Sequence, residues 1–245
     1  MSSIGFDDIG GAVSKRALKI FWLVDVSGSM DGDKIATVNR AIRACIDPLL
    51  REAEDNPEAQ MYVRAMKFSI GAQWHTNETK IEDFEWHDLI ADGWTDTGAA
   101  LKLMAQELSI ERMGQRALPP VIILMSDGEA TDNYDEGIKE LISQRWGPKT
   151  VRIAIAIGTD ANVDELSKFC SNPKETPPLV ADKASTLIKY IKWASTQVPK
   201  AVTNSVIRNK DSETDSSLEI QLPPPPQPHV TIAGNDQDDW DDAIF

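Results

Sequence analysis

Three runs of apolar residues, each about as long as a β-strand, constrain the fold of this chain most strongly. They span residues 18–24, 121–125 and 151–157. Near-continuous apolar runs of this length are typical of strands that are buried on both faces of a parallel sheet. Because such a sheet needs helices on both faces, the runs predict a layered α/β domain.

Helical patterns lie between and after these runs. Apolar side chains recur at intervals of three and four within residues 35–49, 101–108 and 187–198. Asn133 and Asn162 stand where an N-cap side chain would begin two further helices. Strands that alternate with helices predict a right-handed, doubly wound and mostly parallel sheet that is flanked by helices.

One part of the predicted sheet has a different character. Residues 61–68 and the region around Trp74 contain shorter, mixed apolar patterns. We expect these two segments to form an antiparallel pair at one edge of the sheet.

The chain divides into three regions by composition. Residues 1–15 are predicted to be a flexible lead, residues 16–198 the folded domain, and residues 199–245 a disordered linker with an acidic tail. Four consecutive prolines at 223–226 favour an extended polyproline II spacer. The last ten residues place three large apolar side chains among aspartates, which fits either a short docking motif or a solvated tail that only adds solubility. These side chains are Trp240, Ile244 and Phe245.

The bulk composition excludes several classes of protein. A net charge of −14 over 245 residues argues against nucleic acid as a direct partner, since binding a polyanion requires a positively charged face. The longest apolar runs fall far short of the roughly 18 residues that span a bilayer, and residues 1–16 lack the order of a secretory signal. Cys45 and Cys170 fit reduced, buried thiols better than a disulfide framework. We therefore expect a cytoplasmic protein with no membrane contact.

Oxygen-bearing side chains follow two of the apolar runs. Asp25 comes directly after the first run, with Ser27 and Ser29 two and four positions further on, and Asp127 follows the run at 121–125. Ligands bind doubly wound sheets outside the carboxyl ends of the strands, so both aspartates belong on the same edge. Carboxylates and hydroxyls are the hard oxygen donors that Mg²⁺ prefers. The pattern predicts a magnesium site.

The motif DVSGSM, the segment TDTGAAL and the segment MSDG together resemble the von Willebrand factor A family, over about residues 16–198. The resemblance implies a Rossmann-like fold with a metal-ion-dependent adhesion site, which Thr95 completes from a third loop. It also implies direct binding of the metal by the three hydroxyls and binding by the two carboxylates directly or through water. The implied ligands are Asp25, Ser27, Ser29, Thr95 and Asp127. Mg²⁺ is the expected ion, with Mn²⁺ and Ca²⁺ as alternatives.

Within this family, the VSGSM and MSDGEATD segments look most like bacterial TerY-type proteins of tellurite-resistance and stress operons. That likeness implies a stress-response or conflict system, in which such proteins are encoded with a protein kinase and a PP2C-type phosphatase. The leading expectation is therefore a Mg²⁺-dependent adaptor or scaffold that binds a protein partner through an open coordination position of the metal.

Other interpretations of the same residues remain open. Ser27 and Ser29 also suit an N-cap for the helix that follows them. The acidic tail could occupy the chain's own metal site and make the protein a self-regulating scaffold. A metal-dependent hydrolase would need a base such as Asp132 to activate a metal-bound water. The remaining candidate bases are few, and a GxSxG elbow is absent around the two serines, so we expect no enzymatic activity.

Overall fold

The computed structural model describes residues 15–210 and 220–227. The described residues form seven strands: β1 (Arg16–Asp25), β2 (Ala59–Ser69), β3 (Gly71–Trp74), β4 (Thr79–Lys80), β5 (Val121–Ser126), β6 (Val151–Ile157) and β7 (Leu179–Ala181). They also form six α-helices: α1 (Asp33–Glu54), α2 (Thr97–Glu107), α3 (Ile110–Met113), α4 (Tyr134–Ser143), α5 (Val163–Ser167) and α6 (Ala184–Lys210).

The strands form one mixed sheet in the order β3-β2-β1-β5-β6-β7, with β4 paired to β2. Every pairing from β2 through β1, β5 and β6 to β7 is parallel. The predicted fold class, a doubly wound and mostly parallel sheet flanked by helices, is confirmed. Because β1, β5 and β6 run in the same direction, the sheet has a C-terminal edge, where these strands end, and an N-terminal edge, where they begin.

Helices cover both faces of the sheet, as the buried strands require. Side chains of β1 alternate between two apolar clusters, with Trp22 in one and Phe21 in the other. The cluster around Trp22 includes residues of α1 and α6, and its indole donates a buried hydrogen bond of 3.0 Å to Ser195 Oγ of α6. The cluster around Phe21 includes residues of α2 and α4. This two-sided core fixes the strand ends on which the candidate site lies.

The antiparallel pair at one edge is present, although its first strand is longer than predicted. β2 covers 11 residues and pairs parallel with β1 from Ala59 to Phe68, while β3 and β4 pair antiparallel with its other side. β2 alternates between buried and half-buried residues because successive side chains point to opposite faces of the sheet, and the face with Gln60, Tyr62 and Arg64 is less completely covered. This alternation gives β2 its mixed sequence pattern.

The last helix passes the domain boundary that the sequence predicted at Val198. α6 continues through Pro199 to Lys210, and Val202 is fully buried one turn beyond Val198. The apolar stripe of the helix therefore continues past the proline, and the burial of Val202 favours the helix there. The predicted boundary between domain and tail lies inside this helix.

Residues 220–227, which include the four prolines, lie against the domain rather than apart from it. They contain neither helix nor strand, as the proline run predicts. Ile220 and Leu222, however, pack against the apolar cluster that contains Trp22. We call residues 220–227 the strap. The predicted lead up to residue 14 and the apolar residues of the predicted docking motif lie outside the described residues.

Among the described residues, no helix combines the length and the apolar character needed to cross a membrane.

Candidate metal centre

Asp25 lies at the end of β1 with its carboxylate fully buried. One oxygen accepts a hydrogen bond of 2.8 Å from the backbone N–H of Ser27, and the other accepts a bond of 2.5 Å from Ser126 Oγ. Burial, the largest influence, raises the pKa of Asp25 above its usual value, although these hydrogen bonds oppose the rise. The carboxylate is therefore held in one orientation beneath the protein surface.

The two serines of the DVSGSM motif connect the loop after β1 to Asp127, which follows β5. The hydroxyl oxygens of Ser27 and Ser29 lie 3.1 Å apart, and Ser29 Oγ donates a bond of 2.7 Å to Asp127 Oδ1. Because β1 and β5 are adjacent parallel strands, their final residues meet at the C-terminal edge of the sheet. The structure thus brings four of the five predicted residues into one hydrogen-bonded group.

Thr95 reaches the same place from the loop that precedes α2. Thr95 Oγ1 and Ser29 Oγ lie 3.7 and 4.0 Å from the point where a Cβ on Gly128 would stand. The backbone of Thr95 is held by the loop after β5, since its N–H donates to Thr131 Oγ1 and its carbonyl accepts from the Thr131 N–H. All five predicted residues therefore converge at one edge of the sheet.

The serines do not act as caps for the long helix that follows them. α1 begins at Asp33 with Gly32 at its N-cap position, and Gly32 has a φ of 75° that favours glycine. Ser27 precedes only a short 3₁₀ turn and makes no side-chain capping bond there. The helix-cap interpretation of Ser27 and Ser29 is wrong, which leaves their hydroxyls available to the group around Asp127.

Lys34 is part of the site, although the sequence patterns did not indicate it. Its ammonium group lies 2.6 Å from Asp127 Oδ2, and the Asp127 side chain is fully buried while that of Lys34 is 25% exposed. Lys34 is the second residue of α1 and follows Asp25 by nine positions, which was the only signal in the sequence. The lysine partly neutralises the two carboxylates of the site.

Ser126 is the second contributing residue that the sequence patterns did not indicate. It is the last residue of β5 and directly precedes Asp127. A strand alternates its side chains between faces, so the hydroxyl can point to Asp25 while the next residue turns to the serine loop. The only sequence feature that could have indicated a role for Ser126 in the site is its position at a strand end, directly before an aspartate.

Asp132, the candidate base considered above, has a structural role next to the site. Its two carboxylate oxygens accept 2.7 Å bonds from the backbone N–H groups of Gly98 and Ala99, in the first turn of α2. This arrangement satisfies donors that a helix N-terminus leaves unpaired, and the negative charge suits the positive end of the helix. Asp132 therefore fixes α2 just after Thr95.

A second carboxylate, Asp96, joins three segments around Thr95. One oxygen accepts from the N–H of Gly71 at 2.8 Å, and the other accepts from Thr131 Oγ1 at 2.9 Å. Asp96 thereby links the turn between β2 and β3 to the loop after β5. Together with Asp132, it holds the Thr95 loop in position.

The chemistry of the donor set fits a hard divalent cation. Two carboxylates and three hydroxyls supply only oxygen ligands, which Mg²⁺ prefers. Each hydroxyl that donates to a carboxylate still offers lone pairs to an ion. Within the described part of the chain, no group of three or more His, Cys, Asp or Glu side chains could hold a metal. Any cation at this edge would therefore depend on the serine and threonine hydroxyls.

The fold and the edge group define a class: a doubly wound α/β domain with oxygen ligands presented by three loops at the C-terminal edge. The sequence matches the von Willebrand factor type A domain over residues 20–192, and the chain belongs to that family. No curated protein matches the chain.

Solved structures with the same fold share little sequence identity with this chain. A von Willebrand factor type A protein from Catenulispora acidiphila is 18% identical, with a TM-score of 0.57 over 74% of this chain and 42% of its own. The pilus adhesin SpaC from Lactobacillus rhamnosus GG, in its open conformation, is 13% identical, with a TM-score of 0.60 over 76% and 30%. The PilB minor pilin from Streptococcus sanguinis is 15% identical, with a TM-score of 0.56 over 77% and 63%. The chain spans less than two thirds of the length of each.

Proposed function

We propose that this chain is a protein-interaction module that binds its partner through a divalent cation, with Mg²⁺ as the ion and Mn²⁺ or Ca²⁺ as alternatives. The observation that carries the proposal is the convergence of the serine, threonine and aspartate side chains at the C-terminal edge of the sheet. Three separate loops supply these groups, and additional carboxylates fix the loops.

The proposed ligands are of two kinds, neutral hydroxyls and negatively charged carboxylates. Ser27, Ser29 and Thr95 would contact the cation through neutral hydroxyls, while Asp25 and Asp127 would bind it directly or through water. With few anionic ligands, the bound cation supplies an electrophilic position that a carboxylate of the partner can occupy. Such a pair is stronger than a surface ion pair because the partner excludes water from it.

Exposed apolar side chains beside the site support a binding role. Ile70 and Trp94 are 73 and 68% exposed, and exposed apolar side chains that lie together mark interaction sites. A Cβ on Gly93 would lie 3.0 Å from the Ile70 side chain, and the Gly93 carbonyl accepts a 3.0 Å bond from the N–H of Gly28. Ile70 and Trp94 therefore border the serine loop, where a partner could bury them while its carboxylate binds the cation.

We favour binding over catalysis because the side chains considered as catalytic bases are engaged or distant. The Asp132 carboxylate is taken up by the N–H groups of α2. The His75 ring contacts the His87 carbonyl at 2.8 Å and packs edge-on against Trp86, on the other side of β2 from β1. The presence of an adhesin and a pilin among the structures with the same fold also supports a binding role over a catalytic one.

The proposed cellular context depends only on the amino-acid sequence of two motifs. The likeness of VSGSM and MSDGEATD to TerY-type proteins supports a place in a bacterial stress-response or conflict system. The partner would then be an associated protein kinase or PP2C-type phosphatase in the cytoplasm, with no contribution from nucleic acid or membrane.

A capture experiment from the native cell tests this function. The full chain is used as bait with Mg²⁺ or with EDTA, and beside it a Ser29→Ala, Thr95→Ala variant. Ser29 is exposed and its hydroxyl contacts only the edge group, while the bonds that hold Thr95 in its loop come from its backbone, so both loops should keep their positions in the double variant. We expect the proteins that the full chain captures with Mg²⁺ to be missing both from the EDTA sample and from the sample captured by the double variant.

Ser143→Ala is the matched control, because Ser143 is an exposed serine that bonds only to the Glu140 carbonyl of its own helix. This control should capture the same proteins as the unmodified chain. An identical set of captured proteins in all samples, with or without EDTA, would refute the proposed function.

A further inference from the structure

A cavity of about 710 Å³ lies at the N-terminal edge of the sheet, at the opposite end from the metal centre. Arg16 at the start of β1 and Val151 at the start of β6 form part of its wall. A smaller cavity of about 320 Å³ shares Trp146 and Lys149 with it. We call the two together the basal cavity. Its size falls within the range of protein sites that bind ligands, which runs to about 1,000 Å³.

The charge of the basal cavity is opposite to that of the whole chain. Arg16, Arg145 and Lys149 line it, against Glu175 as the acidic member, although the chain carries −14. Within the described part of the chain, neither Arg145 nor Lys149 pairs with a carboxylate. Burial lowers the pKa of Arg16 and the nearby Arg116 lowers it further, whereas the carboxylate of Glu58 raises it. An anionic group would relieve this excess of positive charge.

The wall of the basal cavity also offers apolar surface. Trp146, Pro119 and Pro148 line it from the domain, and Ile220 and Leu222 line it from the strap. The Lys149 ammonium lies 5.1 Å from the centre of the Trp146 ring, so charge and aromatic surface meet at one place. A ligand that combines carboxylates with large apolar side chains would match both properties.

The strap carries the chain directly past this cavity. Leu222 lines the basal cavity and, with Pro223, also borders Lys200 and Ala201 of α6. From Gln227, the nine residues up to position 236 can span at most about 30 Å. Residues 236–245, which read DQDDWDDAIF, can therefore return to the cavity.

We propose that residues 236–245 bind in the basal cavity, with their aspartates at Arg16, Arg145 and Lys149 and their large apolar side chains against Trp146. The segment combines five aspartates with Trp240, Ile244 and Phe245, and this composition complements the lining. The short tether raises the effective concentration of the segment at the cavity. This inference is independent of the proposed metal function.

The metal edge is the competing location for the same segment. Asp25 and Asp127 lie there, with Lys34 already paired to Asp127. Five aspartates would meet like charges at that edge, whereas Arg145 and Lys149 of the basal cavity have no carboxylate partner among the described residues. Binding at the basal cavity leaves the metal site open to a partner.

Zero-length carbodiimide cross-linking of the full chain, followed by peptide mass spectrometry, tests the location directly. The reagent joins a lysine ammonium to a carboxylate in contact with it, so we expect links from Lys149 to aspartates at 236–242. Mixing ¹⁴N- and ¹⁵N-labelled protein identifies links between two copies. Links to Lys34, links only between copies, or no link from Lys149 would each overturn the proposal.

Hydrogen exchange on full-length variants adds a second measurement. We expect amides of residues 236–245 to exchange at least about tenfold more slowly in the unmodified chain than in Arg145→Glu, Lys149→Glu. Both residues are exposed, so the variant should fold normally. Lys139→Glu is the control, since Lys139 is an exposed lysine of α4 outside the basal cavity. Equal exchange rates in the unmodified chain and in the double variant would contradict the proposal.

Discussion

The two edges of the same sheet differ in what the chain places on them. The C-terminal edge gathers carboxylates and hydroxyls that bond to one another, with Lys34 as the cation in contact with them. The N-terminal edge gathers cations, among which Arg145 and Lys149 have no carboxylate partner in the described part of the chain. Parallel strands expose one type of end at each edge, so a single sheet can present two separate binding chemistries. The charge of −14 for the whole chain conceals this division.

Removal of the buried guanidinium of Arg152 should disrupt the N-terminal edge most strongly. Arg152 donates 2.8 and 2.9 Å bonds to the carbonyls of Phe169 and Gly147, and so holds the segment before β6 that lines the basal cavity. Arg152→Met removes both bonds and leaves the Gly147 carbonyl with only a 3.3 Å bond from the N–H of Thr150, so we expect the free energy of unfolding to fall by about 2 to 4 kcal/mol in urea titrations. Cation affinity at the other edge should change less than about twofold.

Lys139→Met is the control for this change, because Lys139 is an exposed lysine of α4 outside the basal cavity. We expect it to alter stability by less than about 0.5 kcal/mol. If Arg152→Met were as stable as the control, the assignment of Arg152 as the organiser of this edge would be wrong.

Asp132→Ala should produce a smaller loss at the C-terminal edge. The substitution removes the carboxylate that accepts from Gly98 and Ala99 in the first turn of α2. We expect the free energy of unfolding to fall by about 1 to 2 kcal/mol, as for other lost helix caps, with weaker cation binding through the loosened Thr95 loop. Urea titration and cation titration measure the two effects.

Asp135→Ala provides the comparison for Asp132. Asp135 pairs with Lys168 at 2.8 Å, but both side chains are more than half exposed, so its loss should cost less than about 0.5 kcal/mol. Equal losses for the two aspartates would show that the bonds to α2 add nothing to an ordinary surface charge.

Lys34→Met should sharpen the contrast between the edges. Lys34 repels an incoming cation from Asp127, so its removal is expected to tighten Mg²⁺ binding about tenfold, as measured by calorimetry. Lys168→Met, which removes an exposed lysine that pairs with Asp135, should change the affinity less than about twofold. Weaker binding in Lys34→Met would instead mean that the lysine orients Asp127 for the ion.

Strand ends were the most predictable part of the site. Asp25 and Asp127 follow apolar runs, so their place at one edge follows from the parallel sheet alone. The roles of Lys34 and Ser126 depend on which way side chains turn after the loops fold. Local sequence patterns carry no such information.

In the region after Val198, the sequence pattern did not predict which residues pack against the domain. The helical pattern was predicted to end at Val198, but the buried side chain of Val202 extends α6 beyond it. The proline run correctly predicted a segment without helix or strand. Its contact with the domain depends on Ile220 and Leu222, two apolar residues with no periodic pattern around them.

Titration with Mn²⁺, followed by electron paramagnetic resonance and competition with Mg²⁺, tests the central claim most directly. The samples are the unmodified chain, Ser29→Ala with Thr95→Ala, and the control Ser143→Ala. We predict one Mn²⁺ per chain that Mg²⁺ displaces, with unchanged binding in the control and at least about tenfold weaker binding in the double variant. Absence of bound Mn²⁺ at millimolar concentrations, or undiminished binding in the double variant, would contradict a cation site built from these hydroxyls.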